Sequence, residues 1–194
     1  MPNNAIIFDF FGVICSEIAP FWLAKYLLKE EAKKIKATII HAADIGKLSQ
    51  QEMFDRLGEI VKIPPEQVEK EWWSYVVIDI EVVEIIRKLR VDHPIALLTN
   101  SPAQFIRGIL SKHDLFSLFD SIIVSSEERC AKPTLVIYER TLERLSVHAE
   151  DALMIDDNPI NIKGAIDVGI KGLVFESSTQ LRKALTDRNY LIVN

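Results

Sequence analysis

The sequence predicts an α/β protein built on a doubly wound parallel sheet, with a small α-helical block inserted after the first strand. Three observations predict it. Short apolar runs such as Ala5-Ile6-Ile7-Phe8 and Ala152-Leu153-Met154-Ile155 are continuous rather than alternating, the pattern of strands buried on both faces. From residue 80 onward these runs alternate with stretches of helical period, which places parallel strands side by side with helices over both faces. Between residues 17 and 77, by contrast, apolar residues recur only at helical spacing.

The elements follow in order. The opening run ends at Asp9, with Gly12 three positions on. Phe21, Trp22, Tyr26 and Leu28 mark a first helix, and Ile35, Ile39, Ile40 and Ala43 a second. Asp44 to Ser49 breaks the pattern. Ser49 with Glu52 forms a capping box for a third helix carrying Met53, Phe54, Leu57 and Ile60. Pro64-Pro65 opens a fourth with Val68, Trp72 and Trp73. Val82, Val83, Ile85, Ile86 and Leu89 make an amphipathic helix, broken at His93-Pro94 before the strand Ile95-Ala96-Leu97-Leu98. Pro102 opens a helix to about Ser111, Ile122-Ile123-Val124 is a short strand, and a helix after Pro133 carries Ile137, Tyr138, Leu142 and Leu145. The run 152–155 ends in Asp156-Asp157. Asn158-Pro159 then supplies an N-cap and a first-turn proline for a helix closed by Gly169. Leu173-Val174-Phe175 is the last strand, and a polar helix starts near Ser178. The expected organisation is a core of residues 1–16 and 78–194 with the helical block, 17–77, inserted into it.

Bulk composition narrows the function. The chain has 194 residues, a formal net charge of −5 and 48% hydrophobic residues, which leaves a nucleic-acid or anionic-membrane partner without electrostatic support. Cys15 and Cys130 fit no metal-ligand spacing and no disulfide framework. Residues 1–4 carry no basic segment, Asp9 interrupts the first apolar run, and no run approaches a bilayer's thickness. The expected location is the cytoplasm.

Three apolar runs end alike, at Asp9, at Thr99-Asn100 and at Asp156-Asp157. Parallel strands share one C-terminal edge, where open α/β sheets bind ligands. If these strands are neighbours, three carboxylates, a hydroxyl and an amide converge there. Such carboxylates repel strongly unless their pKa values rise or a cation sits among them. Oxygen donors alone suit Mg²⁺ rather than zinc. Lys132, just before a proline and a helix start, is placed to offset a nucleophile's charge or hold an anion. A carboxylate nucleophile, a hard cation and a lysine suit phosphoryl transfer. Neither GxGxxG nor GxxxxGK[ST] occurs, so the nucleotide-loop readings lose their support.

Taken together these motifs resemble the haloacid dehalogenase-like hydrolase superfamily. Phe8-Asp9-Phe10-Phe11-Gly12-Val13-Ile14 resembles its first motif, usually DxDGx. Leu98-Thr99-Asn100-Ser101 resembles the second, Ala131-Lys132-Pro133 the third, and Ile155-Asp156-Asp157-Asn158 through Asn161 the fourth. The resemblance implies a Rossmann-like core with an all-helical cap closing over a small phosphorylated metabolite. It makes Asp9 the nucleophile that forms an aspartyl-phosphate, and Lys132 the residue that stabilises the charge. Thr99 and the Asn100 amide would hold the phosphoryl oxygens. Mg²⁺ would be held by Asp9, the main-chain oxygen of Phe11, Asp157 and Asp156.

One position departs from the pattern. Phosphatases of the superfamily usually carry Asp where this chain has Phe11, to protonate the leaving alkoxide and activate water. Phe11 has no titratable group, and loss of such help typically costs about 10²- to 10⁴-fold in rate. Two alternatives follow: a weakly active or inactive Mg²⁺- and anion-binding protein with a regulatory role, or a metal-free 2-haloacid dehalogenase, which also lacks that Asp. The Asp156-Asp157 pair opposes the second, because a metal-free site gains nothing from two further anions.

Overall fold

A computed structural model describes residues 4–191; the outermost residues of the expected core, 1–3 and 192–194, lie outside the described residues. Five parallel strands form one sheet: β1 (Ala5–Phe8), β2 (Ile95–Thr99), β3 (Ser121–Val124), β4 (Ala152–Asp156) and β5 (Lys171–Val174). Their order in space is β3-β2-β1-β4-β5. The first strand is therefore central, and the winding changes direction on either side of it. β1 pairs with β2 through Ile7 and Ala96, and with β4 through Ile7 and Met154. That register sets the chain after Phe8 beside the end of β4. The crevice at such a reversal is where open α/β sheets place their ligands.

The continuous apolar runs are explained by burial on both faces. Ile6, Phe8, Leu97, Leu153 and Ile155 belong to one buried cluster, whereas Ile7, Leu98 and Met154 belong to another. Successive strand residues point to opposite faces, so both sets must be apolar. The second face is covered by α9 (Leu135–Leu145) through Ile137 and Tyr138, and by α10 (Pro159–Asp167) through Ile162 and Ala165. The first face shares its cluster with α6 (Ile80–Leu89), α7 (Ala103–Lys112) and α11 (Ser178–Asp187). Burying each such side chain contributes about 1.5–3 kcal/mol.

The same cluster runs on into the helices between β1 and β2. Those before α6 are α1 (Ala19–Tyr26), α2 (Lys29–Ile35), α3 (His41–Asp44), α4 (Gln50–Val61) and α5 (Pro65–Ser74). Trp22, Phe54 and Trp72 are buried there, with ring centroids 5.6 Å apart for Trp22–Trp72 and 5.8 Å for Phe54–Trp72. The capping box at Ser49 forms as expected: its Oγ accepts from the Glu52 amide, and Glu52 accepts from the Ser49 amide. The second expected helix starts earlier than its apolar pattern shows, at Lys29, and a π-helical turn, Lys36–Ile40, joins α2 to α3. Such a turn inserts one residue without changing the hydrophobic spacing enough to be read from sequence. A short helix, α8 (Ser125–Glu128), stands where the sequence showed only the end of a strand.

The chain leaves β1 and returns to α6 by two segments lying side by side. The Ser16 amide donates to the Val77 carbonyl and the Asp79 amide to the Ile14 carbonyl, both at 2.9 Å, around an antiparallel bridge of Cys15 with Ile78. On the other side of the block, the turn after α3 rests on the start of α8. Gly46 has a φ of +68°, and a Cβ there would lie 2.4 Å from the Ser126 carbonyl oxygen, so glycine is needed for both reasons. Ser125 links the layers: its Oγ accepts from the Ser101 amide and donates to the Asp44 carbonyl. No helix among the described residues is long and apolar enough to cross a membrane.

Candidate active site

Asp9 is the first residue after the central strand, and its amide donates to the Ile155 carbonyl of the neighbouring strand at 2.9 Å. The chain then turns tightly. The Phe10 carbonyl accepts from the amides of Val13, Ile14 and Cys15, and the Gly12 amide donates to the Cys15 carbonyl. Gly12 has a φ of +85°, and a Cβ on it would fall 2.5 Å from the Asp157 carboxylate carbon. Glycine thus serves both the turn and the approach of the fourth motif. Among the described residues no group donates to the Phe11 carbonyl.

The carboxylates of Asp9, Asp156 and Asp157 each offer an oxygen within 4.8 Å of the others. Lys132 lies buried between two of them. Its Nζ is 2.8 Å from Asp9 Oδ1 and 2.6 Å from Asp156 Oδ2. Asp9 Oδ1 also accepts from the Phe10 amide at 2.6 Å, which leaves Oδ2 without a hydrogen bond among the described residues. The two adjacent aspartates differ sharply. Asp156 ends β4, is fully buried, and has both oxygens engaged, by Lys132, the Asn158 amide and the Asn161 carboxamide. Asp157 is half-buried and lines the open cavity.

Burial raises the Asp9 carboxyl well above the usual carboxylate range, with the Asp156 charge adding to it and Lys132 opposing. Asp157 is raised by burial and by Asp156. Burial pulls the Lys132 ammonium down, but the charges of Asp9 and Asp156 more than offset it and leave it raised. Three carboxylates facing one ammonium leave two negative charges unbalanced in a buried cluster of oxygen donors. That donor set fits a hard divalent cation such as Mg²⁺.

The other residues singled out in the sequence fall nearby with different tasks. Thr99 ends β2, is fully buried and is not part of the cavity lining, and its hydroxyl has no hydrogen-bond partner among the described residues. The Asn100 side chain is committed to the Lys132 loop: its carboxamide donates to the Lys132 carbonyl at 3.0 Å and accepts from the Lys132 amide at 2.9 Å. Phe11 faces the cavity, stacked against Phe105 at 6.2 Å with 12° between the planes. Cys15 is buried and outside the cavity lining, and Trp72 is on it.

A cavity of about 590 Å³ opens over this cluster and reaches under the inserted helices. Several lining residues were invisible to motif reading, namely Lys36, Asp44, Met53 and Phe105. Lys36, on the π turn, lines the cavity. Burial raises the Asp44 carboxyl to about 7 and raises Glu17 as well, both opposed by the Lys36 charge.

A family model for haloacid dehalogenase-like hydrolases matches residues 4–169, which runs from β1 through α10 and includes every site residue described above. The chain belongs to this hydrolase family. Over 174 residues the hydrolase is 25% identical to the sesquiterpene phosphatase astK of Aspergillus oryzae, covering 88% of each chain. It is 28% identical over 103 residues to the N-acylneuraminate-9-phosphatase of Rattus norvegicus, which is 53% of this chain and 42% of that one. Among solved structures, a HAD family enzyme from Bacteroides thetaiotaomicron in complex with magnesium and inorganic phosphate superposes with a TM-score of 0.76. The identity there is 22%, over 92% of this chain and 98% of that one, so the likeness is one of fold.

Proposed function

We propose that this hydrolase is a Mg²⁺-dependent phosphatase acting on a small phosphorylated metabolite through an aspartyl-phosphate on Asp9. The observation that carries the reading is the cluster of Asp9, Asp156 and Asp157 within 4.8 Å around the buried Lys132, at the point where the sheet's winding reverses. The phosphatase relatives support it. In this reading Asp9 Oδ2, the oxygen without a hydrogen bond, attacks phosphorus, while Lys132 and the Phe10 amide hold Oδ1 and fix the carboxylate's plane. The expected metal ligands are Asp9, Asp157 and the Phe11 carbonyl. Asp156 contributes through Lys132 and Asn161, since its own oxygens are occupied. A bound Mg²⁺ would neutralise charge on the phosphoryl oxygens. Thr99, whose hydroxyl has no partner among the described residues, and the Asn100 main chain are the proposed phosphate donors. We further propose that residues 17–77 form a cap over a core of 1–16 and 78–194, hinged where the two connections pair at Ser16 and Val77.

Hydrolysis of p-nitrophenyl phosphate that requires Mg²⁺ and disappears in Asp9→Asn is the expected result. Metal-independent release of halide from a 2-haloacid would replace the reading with dehalogenation. A second reading draws on Phe11, which offers neither an acid nor a base. In it the site binds Mg²⁺ and phosphate but scarcely turns over, and its signature is measurable Mg²⁺ affinity with no hydrolysis across a broad panel of phosphate esters.

A further inference from the structure

The cavity has two kinds of wall. Its floor is polar: Asp9 follows β1, Asp157 and Asn158 follow β4, Lys132 lies in the loop before α9, and Asn161 is in the first turn of α10. The wall that rises from this floor is apolar, and it is assembled from separate elements. Phe11 follows β1, Ile18 precedes α1, Ile40 ends the π turn, Met53 lies on α4, Trp72 on α5 and Phe105 on α7. Five of these six belong to the buried core cluster, so the wall is a continuation of the hydrophobic interior and not a scatter of surface residues. The inserted segment adds polar groups at Glu17, Lys36 and Asp44, and the charge of Lys36 acts on both carboxyls.

A phosphate seated on the floor puts its leaving group against the apolar wall. A polyol lying along Phe11, Ile40, Met53 and Phe105 would bury hydroxyls against side chains that offer no hydrogen bond, which is costly, and Glu17, Lys36 and Asp44 serve only those hydroxyls that reach them. A hydrocarbon would lose only its hydration. A volume of about 590 Å³ lies well inside the range of roughly 300–1,000 Å³ typical of sites that enclose whole small molecules. Phe11 belongs to this wall: its ring is stacked on Phe105 and edge-on to Phe10, at 5.1 Å and 84°.

We infer that the substrate is the phosphate monoester of an apolar alcohol, its hydrocarbon lying between Phe11, Phe105, Ile40, Met53 and Trp72 and its phosphate on the aspartate cluster. The inference rests on the phosphatase reading above and names its leaving group. In the net reaction the bond from phosphorus to the alcohol oxygen breaks and the water oxygen ends on phosphorus. One water proton ends on the alcohol and the other on the released phosphate.

The test is a series of n-alkyl monophosphates from ethyl to dodecyl, below their micellar concentrations, run with Mg²⁺ beside glycerol and hexose phosphates. The expected result is a kcat/KM that rises about threefold to fourfold per methylene until the cavity is full, with the sugar phosphates at the bottom. A flat series, or sugar phosphates turned over faster than long alkyl phosphates, would overturn the inference and leave the phosphatase reading standing. The matching alkylphosphonates, which cannot be hydrolysed, separate the two ideas when titrated against tryptophan fluorescence. Affinity that climbs with chain length without any turnover sinks the phosphatase reading and keeps the apolar seat. Affinity independent of chain length sinks the seat.

Discussion

Lys132→Met removes the ammonium that Asp9 and Asp156 share, and the cost can be worked from the geometry. The Nζ is 2.8 Å from one carboxylate and 2.6 Å from the other, on a side chain only 1% exposed. Without it, two buried carboxylates face each other with oxygens inside 4.8 Å. At an effective dielectric of about 20, unit charges at that separation repel by about 3.5 kcal/mol. Removing one member of a buried ion pair typically costs about 3–5 kcal/mol. These figures describe one loss and do not add, because proton uptake by a carboxylate caps the penalty. The expected destabilisation at pH 8 is therefore about 3–5 kcal/mol, a large share of the roughly 5–15 kcal/mol that holds a typical domain folded. The assay is urea unfolding at pH 8 and pH 5.5, followed by the fluorescence of Trp22, Trp72 and Trp73. Burial already raises the Asp9 carboxyl, and losing Lys132 raises it further. The folded state then holds a proton that the unfolded chain releases at lower pH. Stability of the variant must fall as pH rises through that window, so its deficit is smaller at pH 5.5 than at pH 8. A loss below about 1 kcal/mol at pH 8, as for an exposed ion pair, or a deficit that grows on acidification, would refute this account of the cluster.

Three further outcomes are expected. Phe11→Asp should raise p-nitrophenyl phosphate turnover by about 10²- to 10⁴-fold. It should also lower stability by about 1–3 kcal/mol through loss of the stack on Phe105, read by kcat and by thermal melting; an unchanged rate would mean that another group serves as the acid. Gly12→Ala forces a side chain onto a φ of +85° and into the Asp157 carboxylate. It should cost at least about 1–2 kcal/mol and weaken Mg²⁺ binding in calorimetry, whereas unchanged Mg²⁺ affinity would separate Asp157 from the metal. Asp44, raised to about 7 by burial, stays protonated in the folded state at pH values where the unfolded chain has released its proton. Wild-type stability should therefore drop by roughly 2.5 kcal/mol through this group between pH 5 and pH 8. Asp44→Asn should remove that part of the decline, and parallel pH profiles for the two proteins would contradict the assignment.

Much of the fold was legible because local chemistry and tertiary demand agreed. The run Ala5-Ile6-Ile7-Phe8 reads as a doubly buried strand since both faces of β1 are covered. Ser49 with Glu52, and Asn158 before Pro159, cap the helices they were expected to cap. The π turn at Lys36–Ile40 left no such trace, since one inserted residue shifts a helix face without breaking its apolar period. For that reason no sequence pattern marks Lys36, which the turn places on the cavity.

By itself the sequence determined that acidic and polar residues stand at strand ends and in what order their motifs come, which was enough for the family. Tertiary structure decided what each of them can do. Placing β1 between β2 and β4 is a matter of strand pairing, a long-range choice that no local pattern encodes, and it alone sets Asp9 beside Asp156. Asp156 and Asp157 are the same residue type in adjacent positions, yet the first is spent inside on Lys132 and Asn161 while the second opens to the cavity. The physical reason is that successive side chains at a strand end point in opposite directions. The apolar wall facing them is likewise drawn from residues as far apart in the chain as Phe11 and Phe105.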